Sequence, residues 1–317
     1  MTEKTSGEYV SRFRRLLGGG CIWLVFSSYL LLLFSRFVDA SYLTHDNEYL
    51  AVVLLQIMIF LIPAAVFCRI RGEGYGRVFK LKLAGIDRIP SILSAALVLA
   101  AGCLFISLAL NGMQSLSGSF TLYETFISKN NGTAGGVIYL ILAYAALPAF
   151  SEELIFRGIL SAEFERYGAV VSVCLSSLFF ALLHFSFANL PVYLFAGLVL
   201  SVTYYATKSL FAVMAVHFLY NLFCLFGQPY ITAFYAYTGS TAMFVFLLVT
   251  ILLLAAAVFC GQAVRFYRGY AARNLPSDFP EDKPSVKQLP RRFFDAAGYL
   301  STLLCLILYI VAAALSF

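Results

Sequence analysis

Long apolar runs, separated by short polar clusters, set the pattern of this chain. A bilayer-spanning helix needs about 20 mostly apolar residues. Runs of that kind lie near 19–38, 49–68, 90–110, 136–156, 169–186, 191–207, 209–227, 241–264 and 294–316. The pattern predicts an all-α, polytopic helical membrane protein with about eight or nine transmembrane helices, eight if one middle segment only dips into the membrane. Residues 111–135 read as an external loop. Residues 265–293, with Pro276, Pro280, Pro284 and Pro290, read as a cytoplasmic linker. The expected organisation is an N-terminal transmembrane region over 1–135, a core over 136–227 and C-terminal spans over 228–317. No internal repeat is visible, which leaves an inverted-repeat transporter unsupported.

Composition narrows the class. The 317 residues are 61% hydrophobic and 12% charged, with a mean hydropathy of +0.86. Too little polar surface is present to clothe a water-exposed exterior, so a soluble enzyme, a disordered chain and a nucleic-acid binder are excluded. Lipid is the expected outer solvent. The net charge of +6 matters less than its placement. Lys4, Arg12, Arg14 and Arg15 precede the first run. Arg69, Arg71, Arg77, Lys80, Lys82 and Arg88 lie between the second and third. Arg157, Arg166 and Lys208 fall on the same side, as do Arg265, Arg268, Arg273, Lys283, Lys287, Arg291 and Arg292. The intervening loops hold only Lys129, and Arg36 sits at the outer end of the first run. The positive-inside bias therefore predicts a multi-pass cell-membrane protein with a cytoplasmic N-terminus. No cleavable signal peptide is read, because the basic tail leads into a run long enough to span. The seven cysteines lie in or beside apolar runs without CxxC spacing and read as buried small hydrophobes. Asn131-Gly132-Thr133 matches a glycosylation sequon of a kind common by chance.

Ionisable residues inside spans are costly and are by default functional candidates. Glu152, Glu153 and Arg157 end the run from Val137 to Phe150. Glu153 and Arg157 are four apart and share a helical face, which allows pairing. Glu152 lies about 100° round the helix and points elsewhere, with its charge less neutralised. Such a carboxylate in a low-dielectric site suits a general base. The bland reading places all three, solvated and idle, at the membrane boundary. The chain has three histidines. His45, beside Asp46, reads as a solvated loop residue. His184 and His217 lie in apolar runs, with Phe180 four residues before the first and Asn221 four after the second, each on its histidine's face. Taken singly, each fits a packing or interhelical hydrogen-bonding role. Together, two carboxylates, two histidines and an asparagine can converge on one polar cavity and support hydrolysis.

The motifs Glu152-Glu153-Leu-Ile-Phe-Arg157, Phe180-Ala-Leu-Leu-His184 and His217-Phe-Leu-Tyr-Asn221, with the connecting stretches Tyr193–Gly197 and Tyr204–Leu210, resemble the CPBP family. These are the CAAX-prenyl-protease-2-like and bacteriocin-processing intramembrane endopeptidases, also called Abi proteins. The resemblance covers roughly residues 136–227. It implies a helical membrane peptidase acting on a membrane-associated peptide or protein, with its site open towards the cytoplasm. It also implies roles: Glu152 as general base on water, His184 positioning that water, and His217 with Asn221 stabilising the oxyanion. Glu153, Arg157 and Phe180 would support the site. No cofactor is expected. A divalent metal such as zinc is the alternative, held by Glu152, His184 and His217 with one open position, although no H-E-x-x-H is present.

Two readings from other classes stay open. One is a non-catalytic scaffold or self-immunity protein of the same fold, and the other is a proton-coupled transporter. The motifs also present a geometric tension. With the runs as drawn, Glu152 lies near the cytoplasmic end of its span, His184 near the outer end of its own, and His217 roughly 12 Å in. For the three to meet, span five must begin deeper, or residues 157–167 must fold back into the membrane.

Overall fold

The computed structural model describes residues 20–35, 37, 48–71, 85–112, 134–272 and 286–315. The basic N-tail, His45 and Asp46, Arg77, Lys80 and Lys82, most of loop 111–135 with Lys129 and Asn131, and the centre of linker 265–293 lie outside them. Among the described residues every regular element is helical. The helices are α1 (Gly20–Ser35), α2 (48–71), α3 (Ile89–Asn111), α4 (134–164), α5 (Ala169–Leu182), α6 (Leu190–Thr207), α7 (Leu210–Phe226), α8 (Gln228–Thr238), α9 (Thr241–Ala272), α10 (Leu289–Ala297) and α11 (Leu300–Ala314).

Five stretches are long and apolar enough to cross a membrane: Val52–Ile70, Ile86–Asn111, Gly136–Tyr167, Leu190–Thr207 and Thr241–Ala272. The pairs α7–α8 and α10–α11 reach that length only together, bent by 70° and 81°. With the shorter apolar helices α1 and α5, these account for each run read from the sequence. The chain is a multi-pass helical membrane protein.

Several boundaries differ from the hydropathy reading, each for a physical reason. The fourth span does not stop at 156. It continues as helix to Phe164, because its charged residues are buried rather than solvated. The fifth helix ends at Leu182, so His184 stands in a turn rather than on a helix. Residues 265–272, read as the start of a linker, continue α9. The last run is broken at Gly298, which separates α10 from α11.

Helices α2 and α4 each carry a proline in their interior, and each widens just before it. A π-turn spans Ile57–Leu61 ahead of Pro63, and another spans Leu142–Ala146 ahead of Pro148. Proline removes an N–H and clashes with the carbonyl four residues earlier. Those carbonyls belong to Ile59 and Tyr144, inside the two widened turns, so the i→i+5 pattern absorbs the defect without a break.

Helix α3 lies centrally, against α9, α6 and α7, while α5 packs on α6, α1 on α11, and α7 on the Leu147–Glu153 part of α4. At one end, α3, α6 and α9 are tied together. The Arg88 guanidinium donates to the Thr207 carbonyl and lies 5.9 Å from the Phe266 ring centroid. The Tyr270 hydroxyl donates to the Ala206 and Thr207 carbonyls at 3.3 Å. These donors satisfy carbonyls that the end of α6 leaves without helical partners.

Candidate functional site

The middle of α4 supplies the site's carboxylates. Glu152 lies sixteen residues from Gly136 and fifteen from Tyr167, the ends of that stretch. It is therefore at mid-helix, and this removes most of the depth mismatch. The helix runs on past the apolar stretch that ends at 156, and residues 157–167 do not fold back. A second π-turn, Leu154–Leu160, follows directly and carries Arg157. The Ser161 hydroxyl donates to the Phe156 carbonyl at 3.0 Å and closes this wide turn.

Glu153 and Arg157 form a fully buried pair, each with no exposed surface. Arg157 Nη1 donates to Glu153 Oε1 at 2.9 Å, and Nη2 donates to the Gly197 carbonyl on α6, also at 2.9 Å. Its guanidinium lies 4.6 Å from the Phe180 ring centroid on α5, a cation–π contact in a dry setting. Glu153 Oε1 also accepts a hydrogen bond from His217 Nδ1 on α7 at 2.7 Å. One carboxylate oxygen thus joins α4 to α7, and one guanidinium joins α4 to α5 and α6. The Glu153–Arg157 pairing follows the sequence expectation. The bond from His217 to Glu153 was not foreseen.

Gly197 makes this arrangement possible. A Cβ there would lie 2.9 Å from both Cα and O of Ser177. The α5–α6 crossing therefore needs a glycine, and the close approach brings its carbonyl to Arg157. The hydroxyls of Ser176 and Ser177 each lie 3.1 Å from that of Ser201, small polar links of the kind that hold helices together in lipid.

His184 follows the end of α5. Its Nδ1 lies 3.1 Å from the Phe180 carbonyl. A carbonyl only accepts, so Nδ1 carries the hydrogen and Nε2 presents a lone pair. The next residue, Phe185, has φ +47°, in the left-handed region that turns the chain sharply. Tyr29 holds this corner, its hydroxyl donating to the Phe179 carbonyl and its ring packing edge-on to Phe185. The Tyr309 hydroxyl donates to the Ser186 carbonyl at 3.1 Å. The 14 residues of α5 rise about 21 Å, less than a hydrocarbon core of about 30 Å. Irregular backbone at such depth is tolerated where protein groups satisfy it, as the two tyrosines do here.

The two imidazoles share one aromatic neighbour. The Phe180 ring lies 5.2 Å from His184 and 5.8 Å from His217, edge-on to both. Tyr193 of α6 also stacks on His184, with centroids 3.8 Å apart and planes 16° from parallel. Glu152 lies within electrostatic reach of His217 and of Tyr193, and His184 within reach of His217. Glu152 and His217 retain 8% and 5% of their surface, whereas Glu153 and Arg157 retain none. Asn221, one turn beyond His217, donates to the Ala145 carbonyl in the first π-turn of α4 at 3.4 Å.

Glu152, His184 and His217 were also the candidate zinc ligands. Among the described residues no three His, Cys, Asp or Glu side chains form a group that could hold a metal ion. The present arrangement does not fit one. Gly197 and Tyr193 stood in the sequence only as parts of connecting stretches. Their roles have no signature there, since each depends on a neighbour outside its own helix.

Residues 134–223 match a family model described as type II CAAX prenyl endopeptidase Rce1-like. The match spans all three motifs and agrees with the family read from them. The match covers 90 of the 317 residues and shows that this segment is similar to a family of CAAX-type intramembrane proteases. No curated protein and no solved structure matches the chain.

Proposed function

We propose that this chain is an intramembrane endopeptidase of the cell membrane, with its N-terminus cytoplasmic and residues 136–227 as its catalytic core. It cleaves a membrane-associated peptide or protein by water activated at Glu152. The observation that carries this reading is the unequal access of two adjacent carboxylates. Glu153 is sealed between Arg157 and His217, while its neighbour Glu152 keeps a narrow opening beside the same histidine.

The chemistry follows from those positions. Glu152 takes a proton from water as the water oxygen bonds to the scissile carbonyl carbon. The carbonyl π electrons move to oxygen, and the resulting oxyanion is met by His217 Nε2–H and Asn221 Nδ2–H. For His217 to donate there while Nδ1–H donates to Glu153, both ring nitrogens must carry hydrogen. Arg157 then balances one carboxylate and the imidazolium the other, leaving a neutral site. The lone pair of His184 Nε2 accepts the second water hydrogen and orients the nucleophile. Collapse of the tetrahedral intermediate breaks the C–N bond, and Glu152 returns its proton to the leaving amine. Aimed donors in a water-poor site supply most of such a rate enhancement.

The test is cleavage of a farnesylated CAAX peptide by the full chain in lipid nanodiscs, alongside peptide profiles of cells carrying wild type or Glu152→Gln. Loss of a specific product with Glu152→Gln and with His217→Ala is expected. Retention of cleavage by both variants would falsify the catalytic reading.

A further inference from the structure

We infer that Tyr193 is a positioning residue for His184, and that its ring rather than its hydroxyl does the positioning. The inference rests on the peptidase reading for its kinetic consequence, but not for its structural content.

His184 sits in an exacting place. It lies one residue before a left-handed corner and outside the helix that carries its hydrogen-bond partner. A single ring hydrogen bond, Nδ1–H to the Phe180 carbonyl, selects the tautomer that leaves Nε2 as an acceptor. That bond alone does not hold the ring plane. Rotation about the Cβ–Cγ bond is soft for an sp³–sp² torsion, and a half-turn would put a carbon where Nδ1 now stands. In water a free imidazole prefers the opposite tautomer. The bond to Phe180 therefore persists only if the ring is kept in plane.

Two rings do this. The Phe180 edge bounds one side at 5.2 Å. Tyr193 covers the face at 3.8 Å and 16°, a parallel contact over the imidazole. Its own place is set by the first turn of α6, where Cys103 of α3 donates to the neighbouring Val192 carbonyl. Tyr193 is also within electrostatic reach of Glu152. The ring that fixes His184 thus belongs to a side chain within electrostatic reach of the carboxylate whose water His184 is to orient. A flat, rigid side chain is needed at 193, and any aromatic of that size serves.

The experiment reads both consequences. The chain has only three histidines, so ¹⁵N-histidine-labelled protein in lipid nanodiscs gives a simple spectrum, with His184→Gln assigning the resonances. In wild type and Tyr193→Phe, His184 is expected to show a protonated Nδ1 and a bare Nε2. In Tyr193→Leu both shifts move towards the averaged values of a mobile ring. With the farnesylated peptide, Tyr193→Leu lowers kcat about tenfold or more with little change in KM, and Tyr193→Phe restores it. An unchanged His184 spectrum in Tyr193→Leu overturns the inference. So does a Tyr193→Phe variant as impaired as Tyr193→Leu, which would assign the role to the hydroxyl. If His184→Gln itself cleaves normally, the peptidase reading of His184 fails, and the spectra still decide whether Tyr193 holds the ring.

Discussion

Two adjacent glutamates with different fates carry the argument at the scale of single residues. Glu153 binds two cationic or donor groups and is fully buried. Removing one member of a buried pair leaves an uncompensated charge and costs about 3–5 kcal/mol. Glu153→Gln is accordingly expected to lower the unfolding free energy by about that amount, seen as a clear drop in melting temperature in detergent. Glu152 holds up no such network, so Glu152→Gln is expected to melt near wild type while losing about 10²–10⁴-fold in kcat, the usual worth of a general base. Equal loss of stability in both variants would contradict the division of labour. Arg157→Lys is a sharper test of geometry. A lysine has no planar fork to span Glu153 and the Gly197 carbonyl together. A loss of about 1.5–3 kcal/mol is expected, the scale of one hydrogen bond to a charged group.

Among the elements, two features decide where the side chains point. One is the π-turn before Pro148, which sets the rotation of α4 on both sides of it. Pro148→Ala restores the missing N–H and removes the clash that favours the wide turn. If the turn relaxes to regular helix, Glu152 swings away from His217. The expected result is unchanged or higher melting temperature with about 10²-fold less cleavage, whereas unchanged cleavage would show that packing alone holds the turn. The other is the α5–α6 crossing. Gly197→Ala places a methyl group 2.9 Å from the Ser177 backbone. Overpacking of this kind costs about 1–3 kcal/mol, and here it also draws a carbonyl away from Arg157. Thermal unfolding measures the first effect, and loss of cleavage at permissive temperature measures the second.

For the whole molecule, the relevant quantity is topology across the bilayer. The helices carry no direction of their own in lipid, and the basic loops supply it. The proposed cytoplasmic N-terminus predicts that Ser240→Cys, between α8 and α9, is labelled by a membrane-impermeant maleimide in intact cells. Arg268→Cys, near the end of α9, should label only after permeabilisation. The reverse pattern would invert the protein and place the mouth of the site on the other side.

What could be read along the chain was whatever depends on one helix at a time. Apolar runs mark where helices lie, because lipid demands internal backbone hydrogen bonding and an apolar exterior. Motif spacing brought Glu153 to Arg157 and His217 to the turn before Asn221, because neighbours three or four apart share a face. Only the packed molecule could show that Glu153 rather than Glu152 grips His217, that Tyr193 lies flat on His184, and that Gly197 lets an arginine reach across. Each of these joins residues 9 to 64 positions apart that do not share a helix. The hydropathy pattern also misplaced the end of α4, since it treats a charge as a boundary. Opposite charges that neutralise each other inside a bundle, as Glu153 and Arg157 do, can stand at mid-helix.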